Sequence, residues 1–314
     1  MSGESLAGRD LISLLDFSSE ELEGALELAR EVKAEPLQFA DALRGKTLFM
    51  YFEKPSLRTR ATFEAGMTQL GGHAIYYTAA DGRIGVRESV ADVASNLERW
   101  LDAVMCRTFS HEMVEELAHC AEIPIINGLT DLLHPCQALA DYLTLREVKG
   151  ELRGRRLVYV GDGNNVAHSL MYGGARLGVN VTVVTPPGHE PNPQVVAAAA
   201  EAAASAGAQI ETSTDLGRVQ GADAVYTDVW ASMGQEEQAE ARQKVFQPYQ
   251  VNAEVMGRAG ADAVFMHCLP AHRGEEVTGE VADSPQSVIF QQAENRLHAQ
   301  KAVLLLVTGG ASLP

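Results

Sequence analysis

Ser56, Leu57, Arg58, Thr59 and Arg60 bring a hydroxyl cap, a second hydroxyl and two guanidinium groups within five positions of a 314-residue chain. Thr47 to Phe52 ahead of them is an apolar, strand-like run. Behind them Phe63, Met67 and Leu70 recur at helical spacing until Gly71 and Gly72 end the pattern. The local plan is therefore strand, loop, helix, with Ser56 as N-cap and the free N–H groups of the first helical turn pointing outwards. Such a turn favours an anion, and a guanidinium fork suits a phosphate or carboxylate better than an ammonium does. At about 100° per residue Arg58 and Arg60 project about 200° apart, so only one faces the same anion. We assign Arg58 to the anion and Arg60 to an internal pair. Taken alone, these residues equally fit an N-capped surface helix with two solvated arginines.

The elements that would position them repeat along the chain. Short apolar runs at His73 to Tyr77, Ala103 to Arg107 and Ile123 to Asn127 alternate with helical patterns at Glu88 to Leu101, Glu112 to Cys120 and Pro135 to Val148. Alternation of this kind means a parallel sheet with helices on both faces, whose ligands gather at the carboxyl ends of the strands. Arg107 ends one strand and His134 opens the helix after another, so both are expected to converge on the anion site.

Gly150 to Arg156 is a polar, glycine-bearing boundary, after which the alternation restarts. Strands are expected at Leu157 to Val160, Val179 to Thr185, Ala222 to Val229 and Ala263 to Leu269. Helices are expected after Asn165, from Pro193 to Ala206, after Gln235 and after Asn252. Ser287 to Phe290 reads as a last strand, and Ala293 to Val307 as a closing helix carrying Arg296. Polar residues again sit at strand ends: Asn164, Asn165, Asp228, His267 and Cys268. The expected fold is α/β, two doubly wound parallel-sheet domains joined by interdomain helices, in keeping with about 150 residues per domain.

GDGNN (Gly161 to Asn165) follows a strand, yet Val166 stands where a dinucleotide fingerprint needs its third glycine. The next strand ends in Thr185, Pro186 and Pro187, with no acid for a ribose hydroxyl. His267 beside Cys268 invites a metal, but neighbouring strand residues point to opposite faces. No metal and no cofactor are expected.

A net charge of -17 argues against nucleic acid or an anionic membrane as partner, so positive charge for an anionic ligand must be gathered locally. Cys106, Cys120, Cys136 and Cys268 show no paired spacing and are expected as free thiols. The first residues carry no leader pattern and no run is long and apolar enough to span a bilayer, which makes the cytoplasm the default.

Four segments in register, SLRTR (Ser56 to Arg60), HPCQALAD (His134 to Asp141), DVWASMGQE (Asp228 to Glu236) and HCLPAHRGEEV (His267 to Val277), resemble the ornithine carbamoyltransferase family. The likeness extends through QQAENR (Gln291 to Arg296). It implies a carbamoyl phosphate-binding domain over residues 1–148, completed by the helix 293–314, and an ornithine-binding domain over 149–292. Carbamoyl phosphate would be held by Ser56, Leu57, Arg58, Thr59, Arg107, His134, Gln137, Cys268, Leu269 and Arg296, with Leu57 replacing a more familiar threonine. Ornithine would be held by Asn165, Asp228, Ser232 and Met233. Arg107, His134, Asp228 and Cys268 would be catalytic. The loop Asp81 to Ser89 carries Arg83 where the family often has glutamine; Arg83 is expected to reach the phosphate of a neighbouring subunit in a homotrimer or multiple of trimers. The implied activity is carbamoyl transfer from carbamoyl phosphate to the δ-amine of L-ornithine. Its rivals are a transcarbamylase for N-acetylornithine, putrescine or aspartate, and a catalytically silent anion-binding subunit.

Overall fold

The computed structural model describes residues 5–231 and 239–314. These divide into two compact units, the chain up to Leu143 with Asn295–Pro314, and Thr144–Glu294.

The first unit opens with α1 (Ser19–Ala34), which starts at a capping box: the Ser18 side chain accepts from Glu21 N–H and the Glu21 carboxylate accepts from Ser18 N–H. Its stripe of Leu22, Ala25, Leu26, Ala29 and Val32 is buried, as the 3.6-residue period requires. There follow β1 (Thr47–Phe52), α2 (Leu57–Gln69), β2 (His73–Thr78), α3 (Val90–Leu97), β3 (Ala103–Arg107), α4 (His111–Cys120) and β4 (Ile125–Leu129). The strands pair in parallel in the order β2-β1-β3-β4. All of β1 after Thr47 is buried, which is why it reads as a continuous apolar run rather than an alternation. Phe49, Tyr51, Val104, Cys106 and Ile125 pack with Val90, Ala94, Val114 and Leu117 into one core cluster. Because β2 lies on one side of β1 and β3 on the other, the chain reverses direction between β1 and β3. The region beyond the strand ends at such a reversal is where sheets of this kind bind ligands.

Helix α5 (Pro135–Lys149) carries the chain from the first unit into the second. The second unit continues with β5 (Arg156–Val160), α6 (Asn165–Leu177), β6 (Asn180–Val184), α7 (Pro193–Ala206), β7 (Ile210–Ser213), β8 (Ala224–Thr227), α8 (Ala239–Phe246), α9 (Ala253–Ala259), β9 (Val264–His267), α10 (Gly279–Ala282) and α11 (Ile289–Thr308). Helix α11 returns the chain to the first unit. The sheet is parallel in the order β7-β6-β5-β8-β9, with its reversal between β5 and β8. Helix α7 has the expected bounds, set by the Asn192 cap, Pro193 in the first turn and Gly207 in the left-handed conformation at its end.

One expectation is corrected. Ser287 makes only an isolated bridge to Phe265, and Ile289 already begins α11, so Ser287 to Phe290 is not a strand. A four-residue apolar run does not separate a strand from the buried first turn of a helix. The edge strand β7 carries little sequence signal, because IETS is short and only half-buried. Gly163 has a packing reason: a Cβ there would lie 2.2 Å from the Pro191 nitrogen. The glycine lets the loop after β6 cross the GDGNN turn, and no dinucleotide is needed to explain it.

Candidate active site

In the first unit Ser56 caps α2, its Oγ accepting from Thr59 N–H at 3.3 Å. Leu57 turns its side chain outward, 81 % exposed, so what this position offers is its backbone N–H at the head of the helix. Thr59 is buried, and its Oγ1 accepts from Arg296 Nη2 at 3.1 Å and from Arg107 Nη1 at 3.4 Å. With both lone pairs engaged, the Thr59 hydroxyl retains a donor. Arg107 closes β3 where the register with β4 shifts between Cys106 and Arg107, an irregularity that re-aims the side chain at the strand end.

His134 immediately precedes α5 and is buried. Burial, with the positive charges of Arg296, Arg107 and Arg58 added to it, holds its imidazole well below the ordinary histidine range. At neutral pH it is an uncharged hydrogen-bond donor surrounded by three guanidinium groups. Gln137, one turn into α5, is buried rather than exposed. Its Nε2 donates to Asp141 Oδ1 at 2.8 Å, and its Oε1 accepts from Arg296 Nη1 at 2.6 Å. Ser56, Arg58, Thr59, Arg107, His134, Gln137 and Arg296 are thus brought into one cluster, at the reversal of the first sheet.

Arg60 pairs with Glu64 at 2.9 Å, one turn along α2, and lies over the Tyr76 ring at 3.8 Å from its centroid. It stands apart from the cluster, as the helical angle between the two arginines requires. Arg83 reaches Glu53 at 3.3 Å with its side chain 57 % exposed. The other Glu53 oxygen accepts from Phe109 N–H at 2.8 Å, which ties the loop bearing Arg83 to the segment after β3.

In the second unit Asp228 lies just past β8 and Asn164 just past β5, on either side of the sheet reversal. Asn164 Oδ1 caps α6, accepting from the N–H groups of Val166 and Ala167 and from the Tyr159 hydroxyl at 3.3 Å. Burial, with the negative charges of Asp228 and Asp162 added to it, keeps that hydroxyl protonated and therefore a donor. Three donors on Oδ1 fix the carboxamide, so Nδ2 points to Asp228 Oδ2, 2.8 Å away. Asp228 Oδ1 accepts from Cys268 Sγ at 2.9 Å and from Val229 N–H at 2.8 Å. Asp228 is buried, yet among the described residues none forms an ion pair with it. A buried carboxylate held only by neutral donors is suited to a cation supplied from outside the chain.

Asn164, rather than Asn165, is the residue in contact with Asp228; Asn165 follows as the first position of α6, partly exposed. Ser232 and Met233 lie outside the described residues. Leu269 holds φ at +60°, a conformation unusual for a branched side chain, and its N–H donates to His267 Nδ1 at 2.8 Å. That fixes the His267 tautomer, with Nε2 donating to the buried Glu276 at 3.1 Å.

Strand alternation separates His267 from Cys268, but β9 ends at His267 and the chain turns. The possible ligand atoms of Asp228, His267 and Cys268 consequently lie within 4.8 Å of one another. Both ring nitrogens of His267 are already engaged within the protein. Tyr159 and Asp141 also reach the two clusters and carry no assignment from the sequence; Asn164 stands among the strand-end polar residues there, without an assignment to the amino-acid site. Asp141 lies in the HPCQALAD segment four residues after Gln137, a helical spacing that puts the two on one face.

Residues 9–147 match the family model described as the carbamoyl-P binding domain of aspartate/ornithine carbamoyltransferase, and residues 153–307 match its Asp/Orn binding domain. The chain is 55% identical over 312 residues to ornithine carbamoyltransferase of Thermococcus kodakarensis, covering 98% of each. It is 54% identical to the Pyrococcus furiosus protein named "Ornithine carbamoyltransferase, anabolic", again with 98% of each covered. The solved ornithine carbamoyltransferase from Pyrococcus furiosus superposes with a TM-score of 0.95, at 54% identity, over 98% of this chain and 100% of that one. That from Thermus thermophilus gives 0.84 at 46% identity, over 94% and 97%. With its two side-chain clusters and matches along nearly its whole length, the chain belongs to the aspartate/ornithine carbamoyltransferase family, among the ornithine carbamoyltransferases.

Proposed function

We propose that the protein transfers the carbamoyl group of carbamoyl phosphate to the δ-amine of L-ornithine, releasing citrulline and phosphate in the biosynthetic direction. The observation that carries this is the gathering of Arg58, Arg107 and Arg296 around a neutral His134 in a protein of net charge -17. Residues of the first unit hold carbamoyl phosphate. The capped turn Ser56 to Thr59 and Arg58 take the phosphate. Arg107 and His134 donate to the carbamoyl oxygen, and Gln137 meets the amide. Arg296 contributes a further cation.

The δ-amine must be neutral to attack, since an ammonium has no lone pair and its ordinary pKa is about 10.4. Attack at the carbonyl carbon moves negative charge onto the carbamoyl oxygen. Donors already in place there act more strongly on the transition state than on the ground state. As the tetrahedral intermediate collapses the bond to the phosphate oxygen breaks and the proton of the attacking nitrogen passes to the phosphate, which leaves as the dianion, stabilised by the guanidinium groups. An uncharged His134 serves as donor without adding a fourth positive charge.

In the second unit Asp228 accepts from the α-ammonium of ornithine, with Asn164 and Cys268 orienting the carboxylate. Asn165, Ser232, Met233 and Leu269 complete the amino-acid site. The likeness to the family also supports a homotrimer or multiple of trimers, working in the cytoplasm, with Arg83 directed to a neighbouring subunit's phosphate. One incubation series tests the activity: carbamoyl phosphate with ornithine, N-acetylornithine, putrescine or aspartate, followed by assay of ureido product and phosphate. Turnover with ornithine well above the other amines is expected. Turnover with another amine alone would reassign the substrate, and none with any amine would point to a silent subunit.

A further inference from the structure

Helix α8 is docked in an unusual way. Among its residues from Glu240 to Phe246 only Arg242 and Phe246, one turn apart, are buried. Arg242 Nη2 lies 2.6 Å from Asp162 Oδ2, the two side chains 8% and 11% exposed, and its Nε donates to the Trp230 carbonyl. The guanidinium carbon sits 4.9 Å from the Phe246 ring centroid, and the Trp230 and Phe246 rings stack at 6.2 Å. On the far side His189 Nδ1 is 3.6 Å from Asp162 Oδ1, with its ring edge-on to Phe246. Burying an ion pair gains little stability over an apolar contact of the same volume. Its geometric consequence is larger.

Asp162 stands two residues before Asn164, whose N–H donates to the Asp162 carbonyl at 2.7 Å. Trp230 stands two residues after Asp228. The contacts close a circuit: Arg242 to Asp162, along the turn to Asn164, across to Asp228, along the chain to Trp230, and back to Arg242. We infer that Arg242 is a positioning residue for the amino-acid site: by bridging the Asp162 carboxylate and the Trp230 carbonyl it fixes the separation of the Asn164 and Asp228 turns. The pair that receives the α-ammonium is thereby held in register. This rests on the reading of Asp228 as the α-ammonium acceptor, and it adds a group that touches no substrate.

A lysine offers one ammonium where Arg242 offers a fork, so Arg242→Lys keeps the charge beside Asp162 and gives up one arm of the bridge. Arg242→Gln gives up the charge, and Asp162→Asn does the same from the other side at constant shape. Initial rates are measured with each substrate varied, together with inhibition by 2-aminopentanoate, which is ornithine without its δ-amine. In Arg242→Gln the KM for ornithine and the Ki for 2-aminopentanoate should rise together by about tenfold or more, while the KM for carbamoyl phosphate stays within about twofold. Arg242→Lys should fall between the wild type and Arg242→Gln. Should Arg242→Gln fail to fold, Asp162→Asn carries the same expectation. Unchanged constants, or equal losses for both substrates, would overturn the assignment. If the wild type uses a different amine, the proposed reaction fails, and the same split measured with that amine still decides the role of Arg242.

Discussion

Arg296 and Gln137, separated by 159 positions in the chain, are joined by a buried hydrogen bond from Nη1 to Oε1 at 2.6 Å. Through its Nη2 the same guanidinium reaches Thr59, so one side chain links the capped turn of SLRTR to the first turn of α5. Neither acceptor is charged. These bonds orient the cation without neutralising it, which is what a site for a phosphorylated substrate needs.

Arg58 and Arg60 should separate cleanly in kinetics. Loss of a charge-assisted contact of about 1.5–3 kcal/mol corresponds to a rise of about ten- to hundredfold in the KM for carbamoyl phosphate in Arg58→Ala, with a fall in kcat. Arg60→Ala removes a guanidinium already paired with Glu64 and stacked on Tyr76, and both constants should stay within about twofold of wild type. Steady-state rates on the two variants decide it, and equal losses would undo the distinction.

The Cys268 thiol donates to Asp228, and the proposed function has it orient that carboxylate without attacking the carbonyl. Cys268→Ser, which keeps a donor, should retain more activity than Cys268→Ala, and neither should fall to background. Mass spectrometry of enzyme quenched during turnover should find no added carbamoyl group. A carbamoylated Cys268 would establish covalent catalysis instead. Asp228→Asn should raise the KM for ornithine by about tenfold or more and leave that for carbamoyl phosphate nearly unchanged.

His134 gives a stability signature with a definite sign. Its folded-state pKa lies below the unfolded value of about 6.5, so in the interval between the two the unfolded chain binds the extra proton and the folded protein does not. Stability from this group is complete above about pH 6.5 and is lost as pH falls towards the folded pKa, by up to about 1.4 kcal/mol per pH unit. Chemical denaturation of wild type and His134→Gln between pH 7 and 5 should show the wild type losing stability faster. Parallel curves would mean that His134 takes up its proton in the fold.

Much of the cluster around His134 was legible because it depends on local rules. An N-cap, two arginines on opposite sides of a helix, and polar residues at strand ends point to Ser56, Arg58, Arg107 and His134 before any fold is known. Thr59 as the acceptor for two arginines was not legible, since Arg296 reaches it from 237 positions away. Which of Asn164 and Asn165 contacts Asp228 was not legible, because only the three donors on the Asn164 Oδ1 reveal which way its amide faces. Arg242 had no local signature at all: its meaning comes from two turns, at Asp162 and Trp230, that the sheet brings together.

The most direct measurement compares His134→Ala with wild type in two assays, kcat/KM for ornithine carbamoylation and the dissociation constant of carbamoyl phosphate. A neutral donor that acts on the developing oxyanion should cost about 10²–10³ in kcat/KM when removed, with binding of carbamoyl phosphate weakened by less than about tenfold. Equal losses in rate and in ground-state binding would contradict that role and leave His134 as a substrate-binding residue only.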